Sequence, residues 1–205
     1  MGTRKPKQLE FNIKTWGGKR RRAGRKTKEK RKRVSHRTRA TVTPGCGVHV
    51  TLRAREGICN LRSGRAFATL GRCFERAKDR FGFRLIHFSV QGNHIHLLAE
   101  ARNNQALARG VQGLAVRIGK GLNKLMRRHG PVFADHYHSR VLRTPTEAAR
   151  ARGYVLNNFA HHAAQWGESV DVAAPDPLSS AVAWSPLVVQ PRTWLMSVGW
   201  RRGVG

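Results

Sequence analysis

The chain has 205 residues, enough for one domain of ordinary size with tails, and its 40 Lys and Arg against 11 Asp and Glu give a formal charge of +29. That excess is larger than a solvated face needs and calls for a polyanionic partner; nucleic acid is the simplest, an acidic membrane surface the lesser alternative. No stretch approaches the ~20 apolar residues that span a bilayer, the basic N-terminus has no apolar segment behind it to act as a secretory signal, and Cys46, Cys59 and Cys73, odd in number and without C-x-x-C spacing, read as reduced cytosolic thiols rather than a disulfide framework or zinc site.

Residues 1–40 hold 17 Lys and Arg and two acids, Glu10 and Glu29. The run through Arg20, Arg21 and Arg22 to Arg31, Lys32 and Arg33 has almost nothing apolar to bury, which predicts a disordered arm that binds phosphate without sequence preference. From about residue 47, Val48, Val50 and Leu52 alternate with His49, Thr51 and Arg53, a first strand. Residues 64–80 read as a helix with Phe67, Leu70, Phe74 and Ala77 on one side. Residues 83–90 are a second strand, closed by the Gly92-Asn93 turn, and residues 94–100 a third, its hairpin partner. Asn103 or Asn104 can cap a long helix whose apolar face is Leu107, Val111, Leu114, Ile118, Leu122 and Leu125, and whose remaining surface carries Arg109, Arg117, Lys120, Lys124, Arg127 and Arg128. It should stop at His129-Gly130-Pro131. A fourth strand is expected over residues 136–142. Thr144 as N-cap, Pro145 at the first helical position and Glu147 completing a T-x-x-E box then open a last helix, running to about His162.

The order β-α-β-β-α-β-α contains, in its first six elements, the ferredoxin-like split βαβ arrangement: an α+β fold with one antiparallel sheet and helices on one face. In that arrangement the 94–100 strand is one of two central strands of four. The expected organisation is a basic arm at 1–40, a folded domain with the candidate site at 41–166, and an irregular extension at 167–205. The extension contains Pro175, Pro177, Pro186 and Pro191 with Trp184, Trp194 and Trp200, tryptophans expected to pack on the domain rather than stack on bases.

His94-Ile95-His96 is the most informative segment. Strand side chains alternate between faces, so both histidines project one way, starting about 7 Å apart. Two imidazoles placed so can share a divalent ion, although spacing alone favours ordinary surface or core histidines on a strand. Tyr154 lies in the capped last helix, and Asn158 is four residues on, on the same helical face. A helix packed beside the central strands could bring both to the histidines, giving two imidazoles and an amide oxygen around one ion with a phenol beside it. Such a group suits phosphodiester chemistry: the metal polarises a phosphate oxygen and the phenol attacks phosphorus, activated from its ordinary pKa of ~10. Mg²⁺ or Mn²⁺ is expected, imidazole ligands favouring Mn²⁺.

Three ordered blocks, Gln91-Gly-Asn-His-Ile-His-Leu-Leu, Tyr137-His-Ser-Arg-Val-Leu-Arg-Thr-Pro145 and Tyr154-Val-Leu-Asn-Asn158, closely resemble the REP-associated tyrosine transposases, relatives of the single-tyrosine IS200-like transposases of small bacterial insertion sequences and, like them, His-hydrophobic-His endonucleases. The resemblance spans roughly residues 45–163. It implies cleavage of single-stranded DNA beside imperfect hairpins, a tyrosine joined to the 5′ phosphate, a released 3′-OH, and rejoining by the reverse attack without a nucleotide cofactor. On this resemblance His94, His96 and Asn158 match the metal ligands and Tyr154 the nucleophile. It implies a bacterial cytoplasmic, nucleoid-associated protein and is compatible with a homodimer or a monomer. Many members follow the asparagine with proline, whereas this chain has Phe159, a difference at the helix end rather than at a catalytic atom.

Competing sites are weaker. His136-Tyr137-His138 is a second H-x-H, but Tyr137 alternates to the opposite face from its neighbours. His138 and Arg140, like Lys120, Lys124, Arg127 and the arm arginines, read as DNA contacts. His161-His162 suit a helix C-terminus, His49 could face the core or the site, and Glu100 and Asp135 read as simple charges rather than ligands. The rival functions are a replication-initiation or conjugative relaxase of the same chemistry, and a noncatalytic nucleic-acid-binding protein that relies on charge.

Overall fold

The computed structural model describes residues 39–165, 175–182 and 186–204; within the last long helix, side chains are described as far as residue 157. The basic arm, with Arg20, Arg21, Arg22, Arg31, Lys32 and Arg33, lies outside the described residues, as does Trp184. The elements are β1 (Gly47–Arg53), α1 (Gly64–Ala77), β2 (Asp79–Arg80), β3 (Phe83–Val90), β4 (His94–Ala101), α2 (Asn104–Leu125), β5 (His138–Leu142), α3 (Pro145–Gln165), the short α4 (Trp194–Ser197) and a 3₁₀ turn at Gly199–Gly203.

The strands form one sheet in the order β2-β3-β4-β1-β5, every neighbouring pair antiparallel. This is the split βαβ topology: α1 connects β1 to β3, and β4 is inserted between them. The sheet has five strands rather than four because α1 ends at Ala77 instead of residue 80. Phe81 and Gly82, with φ of 56° and 77°, then make a two-residue hairpin turn that pairs Arg80 with Phe83. Left-handed φ at both turn residues matches the twist of a hairpin and overrides the helical pattern, although Phe81 adopts it at a cost of roughly 1–2 kcal/mol.

Asn103 is the α2 cap, its side-chain oxygen accepting from the Ala106 N–H at 2.8 Å. The helix leaves α geometry at Arg127, with φ of 50°, before reaching Gly130. β5 begins at His138, two residues later than expected.

One face of the sheet is covered by α1 and α2. Leu70 and Phe74 of α1 and Leu107, Val111, Leu114, Ile118 and Leu122 of α2 are buried against Val48, Val50, Leu52, Leu85, Phe88, Ile95 and Leu97. Each such side chain contributes about 1.5–3 kcal/mol by leaving water. The seating is close: a Cβ at Gly110 of α2 would collide with the Phe83 ring.

Helices on one face, expected for the first six elements, is what α1 and α2 show; the seventh element is placed differently. α3 lies on the opposite face, where Ala148 and Val155 join Ile86, Leu98 and Leu142 of the sheet and Leu195 and Met196 of α4. A bulge between Leu85 and His87 turns both Ile86 and His87 toward this face, then returns Phe88 and Val90 to the main core.

The C-terminal residues are tied to the domain. Along the outer edge of β3, Val90 N–H donates to Leu178 O, Ser180 N–H to Phe88 O and Val189 N–H to Leu85 O, at 2.9–3.0 Å, which covers an otherwise open strand edge. Arg62 forks onto Asp176 at 2.8 and 3.0 Å. Glu100, expected to be a simple charge, is buried, and its carboxylate accepts from the backbone N–H groups of Arg192 and Thr193 and from the Thr193 hydroxyl. The indole of Trp200 packs on the α3–α4 cluster under the Arg152 guanidinium, 4.1 Å from the ring centre, whereas Trp194 is largely exposed. Among the described residues no helix is long and apolar enough to cross a membrane.

Candidate active site

The site stands on the α3 face of the sheet, at the end where β4 begins. Antiparallel pairing lines up two rows of side chains on this face. One reads His138, Thr51, His96 and Ser89 across β5, β1, β4 and β3; the next reads Arg140, His49, Leu98 and His87. His94 lies one step beyond, opposite Arg53. Leu98 belongs to the apolar packing under α3, so the polar residues begin where that packing ends.

His94 and His96 are brought together as the strand alternation predicts, with ring centres 4.8 Å apart and ring planes at 88°. His96 is buried, with 4% of its surface exposed. His49, left open between core and site by the sequence, faces the site: its Nε2 is 3.1 Å from His96 Nδ1, and Thr51 Oγ1 is 3.2 Å from the same nitrogen. Burial holds the His49 pKa down to about 4, and the charges of His138 and Arg140 act in the same direction. A neutral His49 has one nitrogen able to accept a hydrogen bond.

α3 brings Tyr154 over these rings. Its ring centre lies 5.1 Å from that of His96 and 5.8 Å from that of His49, edge-on to both. Tyr154 is 45% exposed. The α3 start is built largely as its sequence predicts. Thr144 Oγ1 accepts from Glu147 N–H at 3.2 Å, and Glu147 accepts from Arg143 N–H at 2.9 Å, one residue earlier than an ideal box. That Arg143 hydrogen bond and the Arg140 guanidinium hold the Glu147 carboxyl below its usual range. Asn158 lies one turn after Tyr154 in α3, its side chain outside the described residues. Beside Tyr154 a cleft of about 280 Å³ is lined by His49, Arg140, Leu142, Glu147, Arg150 and Ala151.

The other candidates separate from this point. Tyr137 packs on the α1–α2 side, its ring under the Arg39 guanidinium at 3.7 Å, and burial raises its pKa. His138 and Arg140 are exposed on β5 on the site face. Lys120, Lys124 and Arg127 are exposed on α2 or just after it, in the layer on the opposite side of the sheet, so they do not share a surface with the histidines. Asp135 caps the His136 N–H at 2.7 Å. His161 and His162 lie in α3 beyond the described side chains.

The donor set bears on whether a cation fits. His94 Nδ1 is 2.8 Å from Asn93 Oδ1, an acceptor, which fixes the proton on Nδ1 and the lone pair on Nε2. His96 Nδ1 is likewise engaged by His49 and Thr51. Metal-ligating imidazoles ordinarily carry such a hydrogen bond on the second nitrogen. Among the described residues no cluster of three or more His, Cys, Asp and Glu is placed to hold a metal.

Residues 45–158 match the family "Transposase IS200 like". The chain belongs to the IS200-like transposase family. No curated protein sequence matches it. Among solved structures, a REP-associated tyrosine transposase bound to a REP hairpin is similar over 78% of this transposase and 93% of that chain, at 14% identity and a TM-score of 0.56. That likeness shows a shared fold. A candidate transposase from Deinococcus radiodurans R1 is similar over 68% of this chain and 100% of its own, at 12% identity and a TM-score of 0.41.

Proposed function

We propose that this transposase is a divalent-metal-dependent endonuclease that cuts and rejoins single-stranded DNA beside hairpins, with Tyr154 as the nucleophile and His94, His96 and Asn158 holding Mg²⁺ or Mn²⁺. The observation that carries the reading is the approach of the Tyr154 ring to within 5.1 Å of the His96 ring, from a different element of the same chain. The bound ion would polarise a non-bridging phosphate oxygen and offset the charge developing on it.

The chain's own residues supply the rest. Tyr154 Oη attacks phosphorus, forming the Tyr–O–P bond while the P–O3′ bond breaks; the phenol proton passes to solvent, and the leaving 3′ oxygen takes one up. Attack by a 3′-OH on the phosphotyrosine reverses the step, so no nucleotide cofactor is consumed. Arg140, on the wall of the cleft beside Tyr154 and 3.2 Å from Glu147, would hold an entering phosphate. The arm arginines and lysines add affinity without sequence preference. Hairpin DNA as substrate is supported by the hairpin bound to the solved transposase of similar fold. A cytoplasmic site of action, at the nucleoid, accords with that substrate.

The test is incubation of end-labelled hairpin oligonucleotides, drawn from the DNA flanking the gene, with Mn²⁺. The expected products are a covalent protein–DNA adduct and a free 3′-OH fragment. An adduct formed at wild-type yield by Tyr154→Phe removes the nucleophile assignment. Binding without cleavage of any such hairpin favours a noncatalytic DNA-binding role.

A further inference from the structure

We propose that His49 is a positioning residue for the metal site: its Nε2 accepts the His96 Nδ1–H and so holds His96 in the tautomer whose Nε2 can bind a cation. The inference rests on the metal assignment made for His94 and His96. Its basis is that the two metal-facing histidines are buttressed differently. His94 is oriented by its own neighbour, Asn93, on the turn before the strand. His96 Nδ1 is met by two side chains of β1, His49 Nε2 at 3.1 Å and Thr51 Oγ1 at 3.2 Å.

An imidazole that gives its Nε2 lone pair to a cation must carry its remaining proton on Nδ1. A cation on Nε2 also makes that N–H a stronger donor, so an acceptor facing it strengthens metal binding. Thr51 can accept or donate, and by itself leaves the tautomer open. His49 Nε2, on a central strand with its ring centre 5.3 Å from that of His96, adds a second acceptor when the His49 proton is on Nδ1. His49 is held in turn by its strand pairing with Leu98 and Arg140 and by the edge of Tyr154. The same side chain therefore touches both the ligand histidine and the tyrosine without being either.

The experiment is Mn²⁺ titration of the full-length protein, followed by electron paramagnetic resonance, together with ¹⁵N-histidine long-range NMR of the metal-free protein to read the His96 tautomer. His49→Phe, which keeps a ring and removes the acceptor, is expected to weaken Mn²⁺ binding about 10- to 100-fold and to shift His96 away from a single Nδ1–H tautomer. His49→Gln, whose amide oxygen can accept, should recover most of the affinity; a purely space-filling role would favour Phe over Gln. Wild-type Mn²⁺ affinity with an unchanged tautomer in His49→Phe overturns the proposal, as does His49→Gln binding no better than His49→Phe. If Mn²⁺ binding to the wild type is indifferent to His94→Ala and His96→Ala, the metal assignment itself falls and this inference with it. If binding depends on both histidines but not on His49, this inference alone falls.

Discussion

Replacing Glu100 by alanine tests how the second face of the sheet is closed. The Glu100 side chain is 5% exposed and lies on the site face of β4, at the opposite end from His94. It receives the Thr193 N–H and the Thr193 hydroxyl at 2.8 Å and the Arg192 N–H at 3.0 Å, with Arg84 Nε 3.5 Å away. Alanine would leave two backbone donors and a guanidinium facing a cavity. Hydrogen bonds to a charged group are worth about 1.5–3 kcal/mol each, but breaking one buried charged cluster costs about 3–5 kcal/mol in total, because losses within a network are not additive. A loss of about 4 kcal/mol is expected. With a urea m-value of about 2 kcal/mol/M, the midpoint should fall by about 2 M. Glu100→Gln keeps one acceptor oxygen and loses the charge, and should fall between wild type and alanine. Because the tether holds Arg192 and Thr193, just before α4, amide exchange should accelerate first over residues 192–200. A midpoint shift under 0.5 M, or uniformly faster exchange with no focus on α4, would refute the reasoning.

Other expectations follow from the same geometry. Gly110→Ala should destabilise by about 1–3 kcal/mol despite alanine's better helix propensity, since its Cβ meets Cβ and Cγ of Phe83; a thermal melt of that variant against wild type checks this, and an unchanged or higher midpoint would refute it. Burial, with Arg152 nearby, holds His87 down to about pKa 4. The unfolded chain therefore takes up a proton that the folded chain refuses as pH falls from 6.5 toward 4, and stability drops over that window by as much as about 3 kcal/mol. Urea midpoints of His87→Gln should show a shallower decline between pH 7 and 4.5 than the wild type, and an equal decline would sink the assignment. Deleting residues 1–38, while keeping Arg39 on the Tyr137 ring, should weaken binding to all DNA sequences alike and flatten the plot of log K against log salt, measured by fluorescence anisotropy. Tyr154→Phe should bind hairpin DNA within a few-fold of wild type while forming no covalent adduct on denaturing gels.

Much of the fold was legible because its signals are local. Strand alternation placed β1, β3 and β4, and β3 and β4 keep their expected starts at Phe83 and His94. The 3-4 apolar spacing of α2 matches its buried face, and Thr144-Pro145 marks the start of α3. What escaped depends on a few turn residues or on distant neighbours. Phe81 is an unusual residue for a left-handed turn, so the sequence pattern carries the first helix on to residue 80, across β2. Glu100 looks like any charge until Arg192 and Thr193, more than ninety residues on, are folded against it.

For the candidate site the division is similar. The sequence by itself determined that His94 and His96 share a face, that Tyr154 and Asn158 share a helical face, and that Tyr137 opposes its own histidine neighbours, because the periods of strand and helix decide such things within a few residues. Only the tertiary structure decided that α3 crosses to the face of the sheet opposite α1 and α2. Only it set Tyr154 against His96, turned His49 into the site and put Lys120 and Lys124 on the other side of the sheet. Those choices depend on which apolar surfaces remain to be buried once β5 is paired with β1, and no local period carries that information.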